Sequence, residues 1–112
     1  MDIQTLQREI DRLRNDAGSR RQQMNGFTQN AAQYSGNGDY TRAQVEQDQA
    51  NRLSNEAQEL EQKAIEFERE MQQKQDRVQQ LQKEREPLQQ RITAIDQEIA
   101  QLQGNGGMTS II

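Results

Sequence analysis

The side chains in this chain that are best suited to chemistry are carboxylates, concentrated in its middle third. Residues 37–70 carry nine acidic and four basic side chains. Paired carboxylates can act as general acid and base, or bind a divalent cation. Here they are spaced as solvated helix faces and have no pocket around them, which argues against a catalytic role. The nine acidic residues are Asp39, Glu46, Asp48, Glu56, Glu59, Glu61, Glu66, Glu68 and Glu70.

The other groups needed for catalysis are missing, since the chain has no cysteine and no histidine. This composition removes thiol nucleophiles, imidazole acid–base chemistry and zinc sites of the usual kind. Met24, Phe67 and Met71 fall in an apolar helix seam, where packing is the simpler role. We therefore expect no catalytic residues, no cofactor and no metal, and we do not expect an enzyme.

Nucleic acid and membranes are also poor candidates as partners. The net charge is −4, and the one doubled basic site, Arg20–Arg21, reads as a solvated helix face and not as a basic, base-reading surface. No apolar run approaches the roughly 20 residues that a membrane span requires. We expect a soluble protein that contacts other proteins.

The strongest pattern is a seven-residue repeat of apolar residues from Ala50 to Leu102. Two sets of positions alternate at spacings of three and four, which gives a helix one narrow apolar seam that lies against another helix. We name them the isoleucine set and the leucine set. The isoleucine set is Ala50, Ala57, Ala64, Met71, Val78, Arg85, Ile92 and Ile99. The leucine set is Leu53, Leu60, Phe67, Lys74, Leu81, Leu88, Ile95 and Leu102.

A similar repeat in the first part of the chain, starting at Ile3, predicts a helix over residues 1–34, capped by Asp2. Gly18 and Gly26 are candidate breaks in it. Residues 35–39, Ser-Gly-Asn-Gly-Asp, predict a turn, and Asp39 or Thr41 would start the second helix. The second helix is predicted over residues 40–103, followed by a Gly-rich tether and apolar tail over 104–112.

Pro87 is the one challenge to the second helix. Proline costs about 3 kcal/mol in a helix interior but is well tolerated as a first helical residue. Either the helix kinks at Pro87, or the chain reverses and Leu88–Leu102 forms a third helix. No glycine or asparagine precedes Pro87 to make a tight reversal, so a kink is favoured.

These patterns predict an all-α fold: an elongated antiparallel helical hairpin whose long second helix forms a coiled coil. Folding back at the turn places Leu13 near Leu60, and Ile10 near Ala64 and Ile65. Only 30% of residues are hydrophobic, which suits two-helix contact better than a deep core.

The first helix is too short to cover the seam beyond about residue 74. The uncovered part should bury itself against a second copy or against another protein's helix. Lys74 and Arg85 interrupt the seam, either fixing its register or directing their charges outward. The predicted partner-binding residues are Val78, Leu81, Leu88, Ile92, Ile95, Ile99 and Leu102.

The C-terminal residues are a second candidate contact. An apolar chain end after a Gly-rich tether suits docking into a groove or against a strand edge of a neighbour. The alternative is a frayed end without a role. The predicted docking residues are Met108, Ile111 and Ile112.

The helix–turn–helix outline resembles that of prefoldin subunits, but residues 35–39 leave no room for the strands that connect the helices there. In type, the chain is similar to small cysteine-free coiled-coil proteins of phage virions and secretion machines. The first hypothesis is a structural protein that spaces or bridges subunits of a large complex such as a virion, in the particle or during cytoplasmic assembly. The second is an adaptor or chaperone that captures a partner helix.

Overall fold

The computed structural model describes residues 1–104, which form two α-helices. Helix α1 spans Ile3–Gly36 and helix α2 spans Tyr40–Leu102. The chain divides into two compact units, Met1–Lys74 and Gln75–Ile112. The first unit is an antiparallel helical hairpin, and the second contains the distal part of α2. The predicted all-α fold, with a hairpin and a long second helix, is confirmed.

Helix α1 starts where the sequence predicts. The Asp2 carboxylate accepts a hydrogen bond of 2.7 Å from the Thr5 backbone N–H, which satisfies one of the unpaired donors of the first turn. This backbone hydrogen bond lowers the pKa of Asp2 below its ordinary value. The helix continues through Gly18 and Gly26, so neither glycine breaks it. Both are exposed, and a cost of about 1 kcal/mol each is compatible with a helix held by packing elsewhere.

The turn between the helices is three residues long. Gly38 has a φ of +80°, a conformation that glycine adopts without steric cost. The Asn37 N–H donates to carbonyls of the last α1 turn, and Asp39 accepts a 3.3 Å hydrogen bond from the Arg42 N–H. Asp39 is therefore the N-cap of α2, and it is one of the two residues that were predicted to start this helix. The Arg42 guanidinium lies 5.9 Å from the Tyr34 ring centre, which links the two sides of the turn.

The hairpin core follows the predicted heptad phases. In α1, large residues are buried at the seam, and in α2 the buried residues are mainly alanines. Small residues on one helix allow the backbones to approach, and the large residues opposite fill the space. The buried residues are Leu6, Ile10, Leu13, Ala17, Ala31, Ala50, Leu53, Ala57 and Ala64.

The pairing across the hairpin is largely as predicted. Ile10, Leu13 and Ala64 form one buried cluster, and Leu60 packs against it. Ile65, which was also predicted to lie near Ile10, is 45% exposed and is not a member of the buried cluster. It follows a residue of the isoleucine set, and one residue turns a helix by about 100°, which is enough to leave a narrow seam.

Ion pairs across the hairpin mark the register of its two helices. Arg14 pairs with Glu68, and Arg21 donates two hydrogen bonds of 2.8 and 2.9 Å to the carboxylate of Glu61. Moving seven residues forward along α1 therefore corresponds to moving seven residues back along α2. This is the signature of two antiparallel helices in heptad register. Arg20, the neighbour of Arg21, bonds Glu56 at 3.1 Å.

Glu46 is a charged side chain at a seam position of the hairpin. Glu46 lies one heptad before Leu53, at a leucine-set position, and it is half-buried. Within the described residues, its Oε2 is a buried side-chain oxygen without a hydrogen-bond partner. Removing a carboxylate oxygen from water without a compensating hydrogen bond costs free energy.

Helix α2 does not end at Pro87. It runs unbroken through this residue to Leu102, so the alternative of a chain reversal and a third helix is wrong. Pro87 takes away the donor for the carbonyl four residues before it, that of Lys83. Both residues are exposed, so water can satisfy that carbonyl. A kink at Pro87 stays a prediction.

The unpaired carboxylate oxygen gives a first prediction. Replacing Glu46 with leucine should raise the free energy of unfolding by about 1 kcal/mol, because it removes a buried oxygen without a hydrogen-bond partner and restores an apolar seam residue of similar volume. Thermal and urea denaturation followed by circular dichroism measure this change. The matched control is Glu59→Leu at an exposed position of the same helix. A Glu46→Leu variant no more stable than this control would contradict the prediction.

The Arg21–Glu61 pair gives a second prediction, on pH. The two hydrogen bonds from Arg21 lower the pKa of Glu61 below its ordinary value. A carboxylate with a lowered pKa stabilises the fold above its unfolded-state pKa, and this contribution is lost as the pH falls through the lowered value. The difference in melting temperature between the wild type and Glu61→Gln should therefore shrink on acidification. The control Glu59→Gln should show no such trend.

Candidate interaction surface on the second helix

The main candidate functional site is a row of exposed apolar side chains in the second unit, here named the distal seam. All of its residues lie on α2 after Lys74, at positions of the isoleucine and leucine sets. Their exposure ranges from 42% at Val78 to 82% at Leu102. The distal seam consists of Val78, Leu81, Leu88, Ile92, Ile95, Ile99 and Leu102.

The same heptad positions have a different environment in the hairpin. Ala57 belongs to the isoleucine set and is fully buried, while Ile92, five heptads later in the same set, is 58% exposed. The repeat is unchanged between them, so the difference comes from α1, which covers the first position. Contiguous exposed apolar surface on a soluble helix typically marks a contact with another molecule.

The two charged residues within the repeat differ in their surroundings. Lys74 lies in the hairpin, where its ammonium donates to the Met1 carbonyl and lies 3.7 Å from a carboxylate oxygen of Glu70. Its charge is thus directed away from the seam, which is the simpler of the two predicted roles. Arg85 lies in the second unit, where it lines a shallow depression together with Val78 and Leu81. Its aliphatic stem is available to extend the apolar surface there.

Charged residues flank the distal seam, and the apolar pattern alone does not identify them. Each residue that precedes a member of the isoleucine set after Met71 is charged, and the sign alternates along the helix. All are exposed, and Arg77 donates a 3.1 Å hydrogen bond to Gln80. The heptad numbering alone could have identified them, because positions beside the seam control pairing in coiled coils. These flanking residues are Arg77, Glu84, Arg91 and Glu98.

The predicted docking residues of the tail, Met108, Ile111 and Ile112, lie outside the described residues. Their role stays a prediction. So does the binding role of the distal seam, for which the structure provides the exposure and the flanking charges.

The described part of the chain offers little else that resembles a site. Over residues 1–104 there is no group of three or more carboxylate, histidine or cysteine side chains placed to hold a metal ion. No helix in that range is both long and apolar enough to cross a membrane. Arg20 and Arg21, the doubled basic site, are both engaged by glutamates of α2 in the hairpin.

Comparison with known proteins adds no relative. The chain matches no protein-family model, no curated protein and no solved structure.

Proposed function

We propose that this protein is a non-enzymatic coiled-coil assembly element that associates with other helices through the distal seam. The hairpin, residues 1–74, would serve as a folded body, and the distal part of α2 as the contact. The proposal extends to the setting: several copies spacing or bridging subunits of a large complex, such as a phage virion.

The observation that supports this proposal most directly is the exposure of the distal seam. Seven large apolar side chains recur along one face of α2, at isoleucine-set and leucine-set positions. Each has at least 42% of its surface in contact with solvent. Covering the remaining surface of such a side chain contributes roughly 1 kcal/mol. Association of the seams therefore offers several kcal/mol, enough to drive a specific contact between helices.

A second copy of the same helix is the first partner to consider. Val78, Ile92 and Ile99 occupy the isoleucine set, and leucines occupy most of the other set. These large apolar side chains give each copy a seam that the other copy can cover. The surface is also self-complementary in kind, because an apolar seam suits another of the same width.

The proposal is tested by placing one polar residue in the seam. Ile92→Asn should weaken self-association in sedimentation equilibrium by at least tenfold in Kd, because it leaves an amide in a dry contact. Ile65→Asn is a matched control: it makes the same exchange in the same helix at a similarly exposed position outside the seam. The control should associate like the wild type.

A wild-type chain that is monomeric up to millimolar concentration would contradict self-association. The seam would then serve a different helix, as in the adaptor or chaperone alternative, where a 1:1 complex with a partner is expected. If the protein co-purifies with a particle at a high, fixed copy number, that result would support the structural role over the adaptor role. Removing residues 104–112 tests the tail separately: unchanged incorporation into the particle would exclude docking by Met108, Ile111 and Ile112.

A further inference from the structure

We infer that the distal part of α2 pairs with a second copy of itself in antiparallel orientation, in a register fixed by the four flanking charges. This inference rests on the proposed function, since it specifies how the distal seam is covered. It is carried by the order of signs along the helix and by the pattern of ion pairs in the hairpin.

The hairpin provides a template for antiparallel pairing in this protein. Arg14 and Glu68 form an ion pair across it, as do Arg21 and Glu61. Each of the two glutamates directly follows a leucine-set residue of α2, and Arg14 likewise follows Leu13 of the α1 seam. Thus residues on the same side of the two seams face each other when the helices are antiparallel. The flanking residues, which precede the isoleucine set, lie on the other side of the seam. In an antiparallel dimer they therefore face the flanking residues of the second copy.

The flanking charges are arranged for such self-pairing. Going along α2 they read Arg77, Glu84, Arg91 and Glu98. When a second copy runs in the opposite direction, the order is reversed, and every position meets the opposite sign. Arg77 then faces Glu98 of the second copy, and Glu84 faces its Arg91. Twofold symmetry doubles these contacts to four ion pairs.

Other antiparallel registers are disfavoured by the same residues. A shift by one heptad in either direction brings like charges together: Glu84 against Glu98 with Arg91 against Arg91, or Arg77 against Arg91 with Glu84 against Glu84. Like charges at such positions destabilise pairing. A shift by two heptads restores opposite signs but leaves fewer seam residues covered. The alternation therefore selects one register.

Parallel pairing uses the charges less well and adds a conflict in the seam. In a parallel dimer, each flanking residue faces the partner's residue that directly follows the next leucine-set position. Glu84 would face Gln89, and only Arg91 would meet a charge, that of Asp96. Isoleucine-set residues would also face each other, which places Arg85 directly opposite Arg85. In the antiparallel arrangement Arg85 faces a leucine-set residue instead.

Charge reversal in the full-length chain tests this register. Glu84→Arg and Arg91→Glu should each weaken the dimer about tenfold in Kd, since each turns two attractive contacts into repulsive ones. The double variant exchanges the two charges and should restore wild-type affinity. The effects should diminish at 1 M salt, where exposed charges are screened.

The matched control exchanges a pair of charges on the outer face. Lys83→Glu with Glu86→Lys keeps the composition and net charge of the same region and lies away from the seam. This variant should dimerise like the wild type. It also reports whether charge reversal near Pro87 disturbs the helix, as judged by circular dichroism.

A distance measurement reads the orientation independently. The chain has no cysteine, so Gln101→Cys gives a unique site for a spin label. Antiparallel pairing centred between Glu84 and Arg91 separates the two labels by about 40 Å along the axis, at 1.5 Å per residue. Parallel pairing holds them within about 20 Å of each other.

The outcomes separate the inference from the proposed function. Weakening by both single reversals, rescue by the double variant and a long label distance support the inference. A dimer in which Glu84→Arg has no effect, or in which the labels are close, overturns the antiparallel register while self-association stands. A monomer at all concentrations overturns self-association and the inference with it, and leaves the adaptor alternative. A dimer insensitive to Ile92→Asn overturns the proposed function, because the distal seam is then not the contact.

Discussion

The structure depends on an inequality in helix length. Helix α1 has 34 residues and α2 has 63, yet both carry apolar residues at heptad spacing to their ends. The burial of apolar surface that stabilises the hairpin stops when α1 has no more residues to offer, and the hairpin unit ends at Lys74. Beyond it, the same repeat presents the same kind of surface to solvent. Fold and proposed interaction are thus two uses of one pattern.

The isoleucine set contains different types of residue in the hairpin and in the second unit. In the hairpin three of the four are alanines that are fully or almost fully buried, Ala50, Ala57 and Ala64, and the fourth is the partly buried Met71. In the second unit they are mostly β-branched, as at Ile92 and Ile99. Alanine suits a helix whose partner supplies bulky residues such as Leu13, because close approach leaves no void. Isoleucine suits a partner of comparable seam width, since both sides then fill the contact.

Much of the fold could be predicted from sequence because its determinants are local or periodic. The cap at Asp2, the turn at Gly38 and the two helices follow from residue types and spacing that act over a few positions. The continuity of α2 through Pro87 could not be decided in this way, because it depends on whether the orphaned carbonyl reaches water. Predicting that Ile65 is exposed would have required knowing the phase of the helix to within a single residue.

The candidate site was predictable only in part, for a different physical reason. Heptad phase identifies which residues lie on the seam, but it does not say what covers them. The interhelical pairs of Arg14 and Arg21 depend on the stagger of two helices, which no single segment contains. That stagger is the basis for the inference that charges such as Glu84 and Arg91 determine the register of pairing.

The shortness of the connection between the helices has a consequence for how the chain acquires its shape during synthesis. Only three residues separate Gly36 from Tyr40, so contacts can form first beside the turn and spread outward with little loss of loop entropy. Such nearest-first zippering gives low contact order and rapid folding. On the ribosome, the body can close before the later seam residues emerge. The distal seam then emerges when the apolar surfaces of the hairpin are already occupied.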